Sequence, residues 1–361
     1  MEVSSLSVVN FRNYDSFKID FESGVNVICG RNGLGKTNLL EAMFLCAVGK
    51  SFRSSKDTEL IKRDKNKYEV GIAIKNDINE SIYMTYDRKK ERSIKINGIY
   101  IRKMRHLMGN FTAVVFAPED LLLVTSGPSS RRKFMDISLS QLTTSYYHDL
   151  VNYNRVVNQK NIYLKNRKID SLALDVFNEQ LSQIGSRIIY ERIKFIKRIN
   201  HFGKEIHSFI TDGKECISIK YSCSIKGADS VEEADMIKEM YYKVLCDNKE
   251  REKERECCLF GPHKDDIDIY LGENDLKVYG SQGQKRTAVI SIKIAELKLM
   301  EEYTGRKPVL FLDDVLSELD KERKKKLMSF IKDIQTFITC TDIDVEDKDL
   351  NVNIIDLEKY K

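Results

Sequence analysis

The chain has 361 residues, 42% of them hydrophobic, and carries 60 Lys and Arg against 55 Asp and Glu, a formal charge of +5. That length exceeds what one hydrophobic core grows to, so two lobes are expected, and no apolar run approaches the roughly 18 residues of a membrane-spanning helix. Met1-Glu2-Val3-Ser4 leads into an alternating pattern and the eight cysteines include no C-x-x-C pair, which predicts a soluble, cytoplasmic protein with free thiols, Cys29 and Cys46 among the buried ones, and no zinc site.

In chain order, Glu2–Phe11 and Phe17–Phe21 alternate apolar with polar residues, the two-residue period of half-buried strands. Val25–Cys29 reads as a buried strand and Asn38–Leu45 as a helix. Between them lies Gly30-Arg31-Asn32-Gly33-Leu34-Gly35-Lys36-Thr37, the phosphate-loop pattern in the strand-loop-helix setting that it needs. Glycines let successive N–H groups turn inward around a triphosphate, and the helix N-terminus adds the positive end of its dipole. Lys36 is expected to reach the β- and γ-phosphates and Thr37 to ligate Mg²⁺, so ATP and Mg²⁺ are the predicted cofactors.

Short alternating runs at Tyr68–Ile74, Ser81–Tyr86 and Ser93–Ile96, with Asn97-Gly98 ahead of Ile99-Tyr100-Ile101, predict an added antiparallel sheet. From about Gly127 the pattern turns helical, and Val176, Leu181, Ile184, Ile188 and Ile189 mark a long amphipathic helix over Phe177–Phe202. Strand character returns at Ile217–Tyr221, a charged helical piece runs from about Ser230 to Glu256, and alternation resumes at Asp266–Tyr270. A helix over Arg286–Tyr303 and buried strands at Val309–Leu312 and Thr336–Thr339 follow. The expected division is residues 1–126 and 257–361 as two halves of one lobe, with residues 127–256 inserted as a helical arm.

Val309-Leu310-Phe311-Leu312-Asp313-Asp314 is a hydrophobic strand ending in carboxylates, which would hold Mg²⁺ through Asp313 and orient the attacking water through Asp314. Alone it reads as a strand running into an acidic turn; beside a phosphate loop it reads as a catalytic candidate. Gly280-Ser281-Gln282-Gly283-Gln284-Lys285-Arg286 offers a serine hydroxyl and free N–H groups at a helix start, and Ser317-Glu318-Leu319-Asp320 follows the carboxylates. In isolation each reads as a capped helix N-terminus. In this order they resemble the signature motif and D-loop of ABC-type ATPases, with Ser281 acting on the γ-phosphate held by a second subunit.

The resemblance narrows at Asn10-Phe11-Arg12-Asn13-Tyr14, Ser51-Phe52-Arg53, Phe116-Ala117-Pro118-Glu119-Asp120-Leu121, Gly127–Asp136, Gly261-Pro262-His263-Lys264-Asp265-Asp266 and Leu312–Asp320. These segments are similar to those of the RecF family of bacterial recombination mediators. The resemblance implies an α/β fold, a P-loop ABC-type ATPase head like that of SMC proteins, with an added antiparallel β-sheet and a short inserted helical arm lobe. It also implies an ATP-dependent homodimer, DNA binding at gaps, work with RecO and RecR in loading RecA, replication restart and the SOS response. Against the wider ABC pattern, Asp314 replaces the usual Glu, which predicts slow hydrolysis. Thr341 is the expected counterpart of the switch His, and Glu119 stands in for the glutamine-loop residue. The competing expectations are a nucleotide-binding subunit of an ABC transporter, against which the arm composition argues, and a short-armed chromosome-structuring head.

Between Arg131 and Lys204 there are fourteen Lys and Arg against six Asp and Glu. Such an excess suits a polyphosphate backbone. The arm offers Arg131, Arg132, Arg155, Lys165, Arg167, Lys168, Arg187, Lys194, Lys197 and Arg198, with Arg131, Arg132, Arg187, Lys194, Lys197 and Arg198 as the DNA candidates, although a charge run is commonly a solvated helix face. Arg12 and Arg53 are open between phosphate contacts and ion pairs. His263 reads as structural, since the chain lacks a nucleophile constellation around it, and Tyr146, Tyr147, Tyr241 and Tyr242 read as packing residues.

Overall fold

The computed structural model describes residues 1–54, 56–76, 79–166, 169–341 and 352–360. They form two compact units, one of Met1–Leu121 with Val289–Lys361 and one of Leu122–Ala288.

The first unit opens with β1 (Glu2–Phe11), β2 (Tyr14–Asp20), β3 (Val25–Cys29), α1 (Lys36–Val48), β4 (Lys67–Lys75), β5 (Glu80–Asp87), β6 (Arg92–Ile96), β7 (Ile99–Ile101) and β8 (Ala113–Phe116). The second holds α2 (Leu122–Thr125), α3 (Pro128–Leu142), α4 (Thr144–Leu164), α5 (Ser171–Ile210), β9 (Ile217–Ser222), α6 (Ala234–Asp247), α7 (Lys249–Arg255), β10 (Asp266–Leu271), β11 (Asn274–Asp275) and α8 (Leu276–Tyr279). The chain passes back into the first unit within α9 (Gln282–Thr304) and ends it with β12 (Val309–Asp313), α10 (Lys321–Ile331), β13 (Thr336–Cys340) and β14 (Val352–Asp356).

Two sheets make the first unit. The six-stranded sheet β2-β1-β4-β5-β6-β7 is antiparallel throughout. Its strands alternate as the sequence does: in β4, Tyr68, Val70, Ile72 and Ile74 are buried and the residues between them are more exposed. The five-stranded sheet β14-β3-β13-β12-β8 is parallel. Its strands β3 and β12 are buried at every position, as strands covered on both faces must be, and they are largely apolar for that reason, with Asn26 in β3 and Asp313 at the end of β12 as the polar exceptions. Parallel pairing brings the C-terminal ends of β3, β13 and β12 to one edge, where ligands of open α/β sheets bind. The alternation read in the sequence does not reveal the outer members β8 and β14.

The second unit pairs helices with the antiparallel sheet β11-β10-β9. Here the expected division needs correction. Ile267 pairs with Tyr221 and Ile269 with Ile219 along the whole of β10, so the segment after Gly261-Pro262 belongs with the helices, and the unit runs from Leu122 to Ala288 where residues 127–256 were expected. Local alternation identifies β10 as a strand but says nothing of its partner. The helix expected over Phe177–Phe202 is longer, a forty-residue α5 of about 60 Å. Its apolar face holds Leu181, Ile188 and Ile189, whereas Val176 is 59% exposed near its start. Among the described residues, no helix is long and apolar enough to cross a membrane.

Candidate nucleotide site

The loop after β3 is shaped by its glycines. Gly30, Gly33 and Gly35 all have positive φ, and a Cβ at Gly35 would lie 2.7 Å from the Asn13 amide, so only glycine fits there. Gly35 caps α1 with no side-chain bond to the helix. Among the described residues, no acceptor faces the amides of Gly33, Gly35, Lys36 or Thr37. Four unpaired donors at a helix N-terminus make a cradle for phosphate oxygens. Lys36 folds back over this cradle, its Nζ donating to the carbonyl of Gly30 at 2.5 Å and to that of Arg31 at 3.4 Å.

The carboxylates arrive from β12. Thr37 Oγ1 donates to Asp313 Oδ1 at 2.7 Å across 276 residues of sequence. Thr339 Oγ1, from β13, donates to the same oxygen at 2.8 Å and accepts the Asp314 N–H at 3.0 Å. Burial raises the Asp313 carboxyl above its ordinary value, and the bonds from Thr37 and Thr339 oppose the rise. A threonine hydroxyl and a carboxylate, both hard oxygen donors, fit a Mg²⁺ ion that completes its shell with water and phosphate. Among the described residues no group of three or more His, Cys, Asp or Glu could hold a metal. Asp314 sits at φ 53°, a left-handed conformation stabilised by the bond from its N–H to Thr339 and by the Ser317 hydroxyl donating to its carbonyl.

A second set of residues, which loop and carboxylate motifs do not mark, braces the loop. Asn13 Nδ2 donates to the Leu34 carbonyl at 3.2 Å, Tyr14 Oη to that of Gly35 at 3.2 Å, and Asn38 Nδ2 to Asn13 Oδ1 at 2.9 Å. Arg31 pairs with Glu358 at 2.9 Å. Asn32 Oδ1 lies 3.5 Å from Lys36 Nζ, and the Leu34 side chain packs on Gly30. Arg12 resolves to an ion pair: its guanidinium grips the fully buried Glu41 of α1 through two bonds of 2.8 and 2.6 Å. Arg53 donates to Asn38 Oδ1 at 3.5 Å and lines, with Arg12, Asn38, Ser54 and Glu119, a cleft of about 410 Å³ beside the first turn of α1. Glu119 therefore reaches this cleft. Thr341 is exposed just past β13, and the threonine that touches the carboxylates is Thr339, two residues earlier. Thr339 is legible in retrospect as a hydroxyl near the C-terminal end of a buried strand, directly opposite Asp313 in the register of β12 and β13.

Ser281 is exposed at the start of α9 in a reciprocal cap: the Gln284 N–H donates to Ser281 Oγ at 3.2 Å and the Ser281 N–H to Gln284 Oε1 at 2.9 Å. The cap fixes the loop and leaves the serine at the surface.

The six DNA candidates have different environments. Arg131 is 6% exposed, with its guanidinium held by Asp266 at 2.6 and 2.7 Å and by the Leu123 and Ser126 carbonyls, so it is a structural residue and not a phosphate contact. Arg132 donates to the Asp265 carbonyl at 2.8 Å, and Arg187 is clamped on Asp149 by bonds of 2.7 and 2.8 Å. Lys194 lies 3.9 Å from Glu191, Lys197 4.0 Å from Glu232, and Arg198 over the Phe202 ring at 4.9 Å, all on the outer side of α5. Arg167 and Lys168 lie outside the described residues. His263 is built into a polar core, with Nδ1 2.8 Å from the Tyr153 hydroxyl and Nε2 3.3 Å from the Cys258 carbonyl. Tyr146 and Tyr241 are buried there too, as packing residues.

Residues 2–355 match the RecF/RecN/SMC N terminal domain family. The chain is 44% identical over 345 residues to the DNA replication and repair protein RecF of Clostridium perfringens, covering 95% of this chain and 94% of that one, and 41% identical over 362 residues to RecF of Clostridium acetobutylicum, covering 99% and 98%. A solved structure of the recombination mediator protein RecF with ATP superposes with a TM-score of 0.91 at 35% identity, over 98% of this chain and 95% of that one. An SMC head bound to the C-terminal winged-helix domain of ScpA, 16% identical with a TM-score of 0.53 over 97% of this chain and 92% of that one, shares the fold. A phosphate loop and a carboxylate strand joined through Thr37 and Asp313, in an ABC-type head interrupted by a helical unit, are thus found on a chain that belongs to the RecF family of DNA replication and repair proteins.

Proposed function

We propose that the chain is an ATP-dependent DNA-binding recombination mediator. ATP binds in the Gly30–Thr37 loop, two copies close on DNA, and slow hydrolysis reopens them. In the cell this serves the loading of RecA at gaps together with RecO and RecR, and through it repair, replication restart and SOS induction. The observation that carries the reading is the 2.7 Å bond from Thr37 to Asp313, which joins the two halves of a nucleotide site from opposite ends of the sequence. RecF has been solved with ATP, which supports the same ligand here.

Within the site, the loop amides and Lys36 bind and orient the triphosphate, Thr37 and Asp313 hold its Mg²⁺, and Asp314 orients the attacking water. Ser281, exposed at a helix N-terminus, closes the site of the second copy. Asp314 is one methylene shorter than glutamate and has a constrained backbone, which suits a slow water-activation step.

Sedimentation of the purified protein with and without ATP tests the reading. Wild-type protein is expected to dimerise only with ATP, Lys36→Arg and Ser281→Arg to stay monomeric, and Asp314→Asn to form a dimer that persists. Monomers throughout, with ATP still bound, would leave a nucleotide-binding protein without the sandwich.

A further inference from the structure

A dense run of positive charge also lies outside the helical unit. Residues 88–106 hold eight Lys and Arg and one Glu, and they form the β6–β7 edge of the antiparallel sheet with its flanking turns. Two of these cations are occupied: Arg92 pairs with Asp57 at 2.7 Å and Arg88 donates to the Lys65 carbonyl. Lys89, Lys90, Arg102 and Lys103 are exposed and make no ion pair among the described residues. In the helical unit, by contrast, Arg131 and Arg187 are already held by carboxylates.

The register of the sheet adds a second observation. Ser7 lies opposite Gly71, Gly71 opposite Tyr83, Tyr83 opposite Lys95 and Lys95 opposite Tyr100, so these five residues form one row across five strands. Side chains directly opposite on adjacent strands share a face. The row therefore reads small, small, aromatic, cation, aromatic. Lys95 Nζ lies 4.5 Å from the Tyr100 ring centre, and Tyr100 is 66% exposed. Tyr83 is anchored by its hydroxyl on Glu69, and that carboxylate is neutralised by its ion pair with Lys67. Ile99, 72% exposed, stands beside Tyr100 on the edge strand.

We propose that this sheet face is a platform for single-stranded nucleic acid, with a base stacked on Tyr100 and the backbone phosphates tracked by Lys89, Lys90, Arg102 and Lys103. An exposed aromatic ring flanked by cations at a sheet edge is what an unpaired base needs. Stacking tolerates any base because each has a π-face, and the lysines supply the salt-dependent, sequence-independent term. A duplex hides its base faces and would use only the cations. The proposal rests on the DNA-binding reading above and places the contact in the first unit instead of on α5.

The test is fluorescence anisotropy of the full chain with a labelled single-stranded oligonucleotide and with the matching duplex, over a salt series, alongside ATP affinity and melting temperature. Arg102→Glu/Lys103→Glu is expected to weaken single-strand binding at least roughly tenfold and to reduce the slope of log K against log salt by about 1.4, with ATP affinity unchanged. Tyr100→Ala is expected to weaken single-strand binding by roughly five- to a hundredfold and to leave the duplex nearly unaffected. If both variants bind like wild type while Lys194→Glu/Lys197→Glu loses DNA, the platform is wrong and the DNA-binding reading stands. If the wild-type chain binds neither DNA form, both fail. Loss of binding to anionic phospholipid vesicles in place of DNA would assign the patch to a membrane surface and overturn the proposal.

Discussion

Arg12 shows how one side chain can settle a question that its sequence context leaves open. Near a phosphate loop, an arginine is as plausible a phosphate ligand as an ion-pair partner. Glu41 decides the matter, because it is fully buried on α1 and a buried carboxylate must be paired. Arg12 meets both of its oxygens, and Ser51 donates to one of them while receiving the N–H groups of Arg53 and Ser54. The bonds from Glu41 hold the Arg12 guanidinium more firmly charged than usual. Arg12→Ala would strand Glu41 in the core and is expected to cost about 3 kcal/mol, measured by urea denaturation. Arg12→Lys should recover little of this, since an ammonium cannot reproduce the two-pronged contact. Arg12→Ala/Glu41→Ala should lose less than the two single variants added together; full additivity would mean that the pair does not act as a unit. Nothing in the sequence couples positions 12 and 41, so this contact was out of reach before the fold.

At the scale of elements, what could be read depended on whether the signal was local. The Gly30–Thr37 loop and the Val309–Asp313 strand announce themselves because close packing on both faces demands uninterrupted apolar residues and the chemistry demands fixed spacings. The partner of β10 did not, because pairing with β9 joins segments separated by α6 and α7. Thr339 escaped for a similar reason: its role comes from β13 lying between β3 and β12, an order that no local pattern states. The turn into β10 carries a sharp constraint of its own. Gly261 has φ +117°, and a Cβ there would lie 1.9 Å from the Tyr241 hydroxyl and 2.3 Å from that of Tyr153. Those hydroxyls bond to each other at 2.9 Å within the buried core. Gly261→Ala is therefore expected to destabilise the second unit by on the order of 3 kcal/mol, combining backbone strain with overpacking. Gly203→Ala, inside α5 with only the Ile219 side chain near, is the control and should be neutral or slightly stabilising. Equal midpoints for the two variants in chemical denaturation would show that the tyrosines yield.

For the molecule as a whole, the division into units sets which conditions act where. The first unit is made from two separated stretches of chain and carries the nucleotide site, so ATP should stabilise it by mass action. Acid should act on the second through His263. Burial pushes this imidazole down to about 4, and its two nitrogens are matched to a neutral ring, one facing the Tyr153 hydroxyl and the other the Cys258 carbonyl. The unfolded chain takes up the proton near pH 6.5 and the folded chain only near pH 4. The unfolded state thus binds more protons in that window, so the stabilisation is fully present above pH 6.5 and is lost as the pH falls towards 4. Over the whole window the loss is about 3 kcal/mol, and between pH 7 and pH 5 about 2 kcal/mol. His263→Gln keeps a donor and an acceptor but cannot titrate. Urea denaturation at the two pH values should show wild type losing about 2 kcal/mol more than this variant. Equal losses would mean that the folded protein accommodates a charged imidazole at this position, and that the polar core around Tyr153 and Tyr241 is open enough to solvate it.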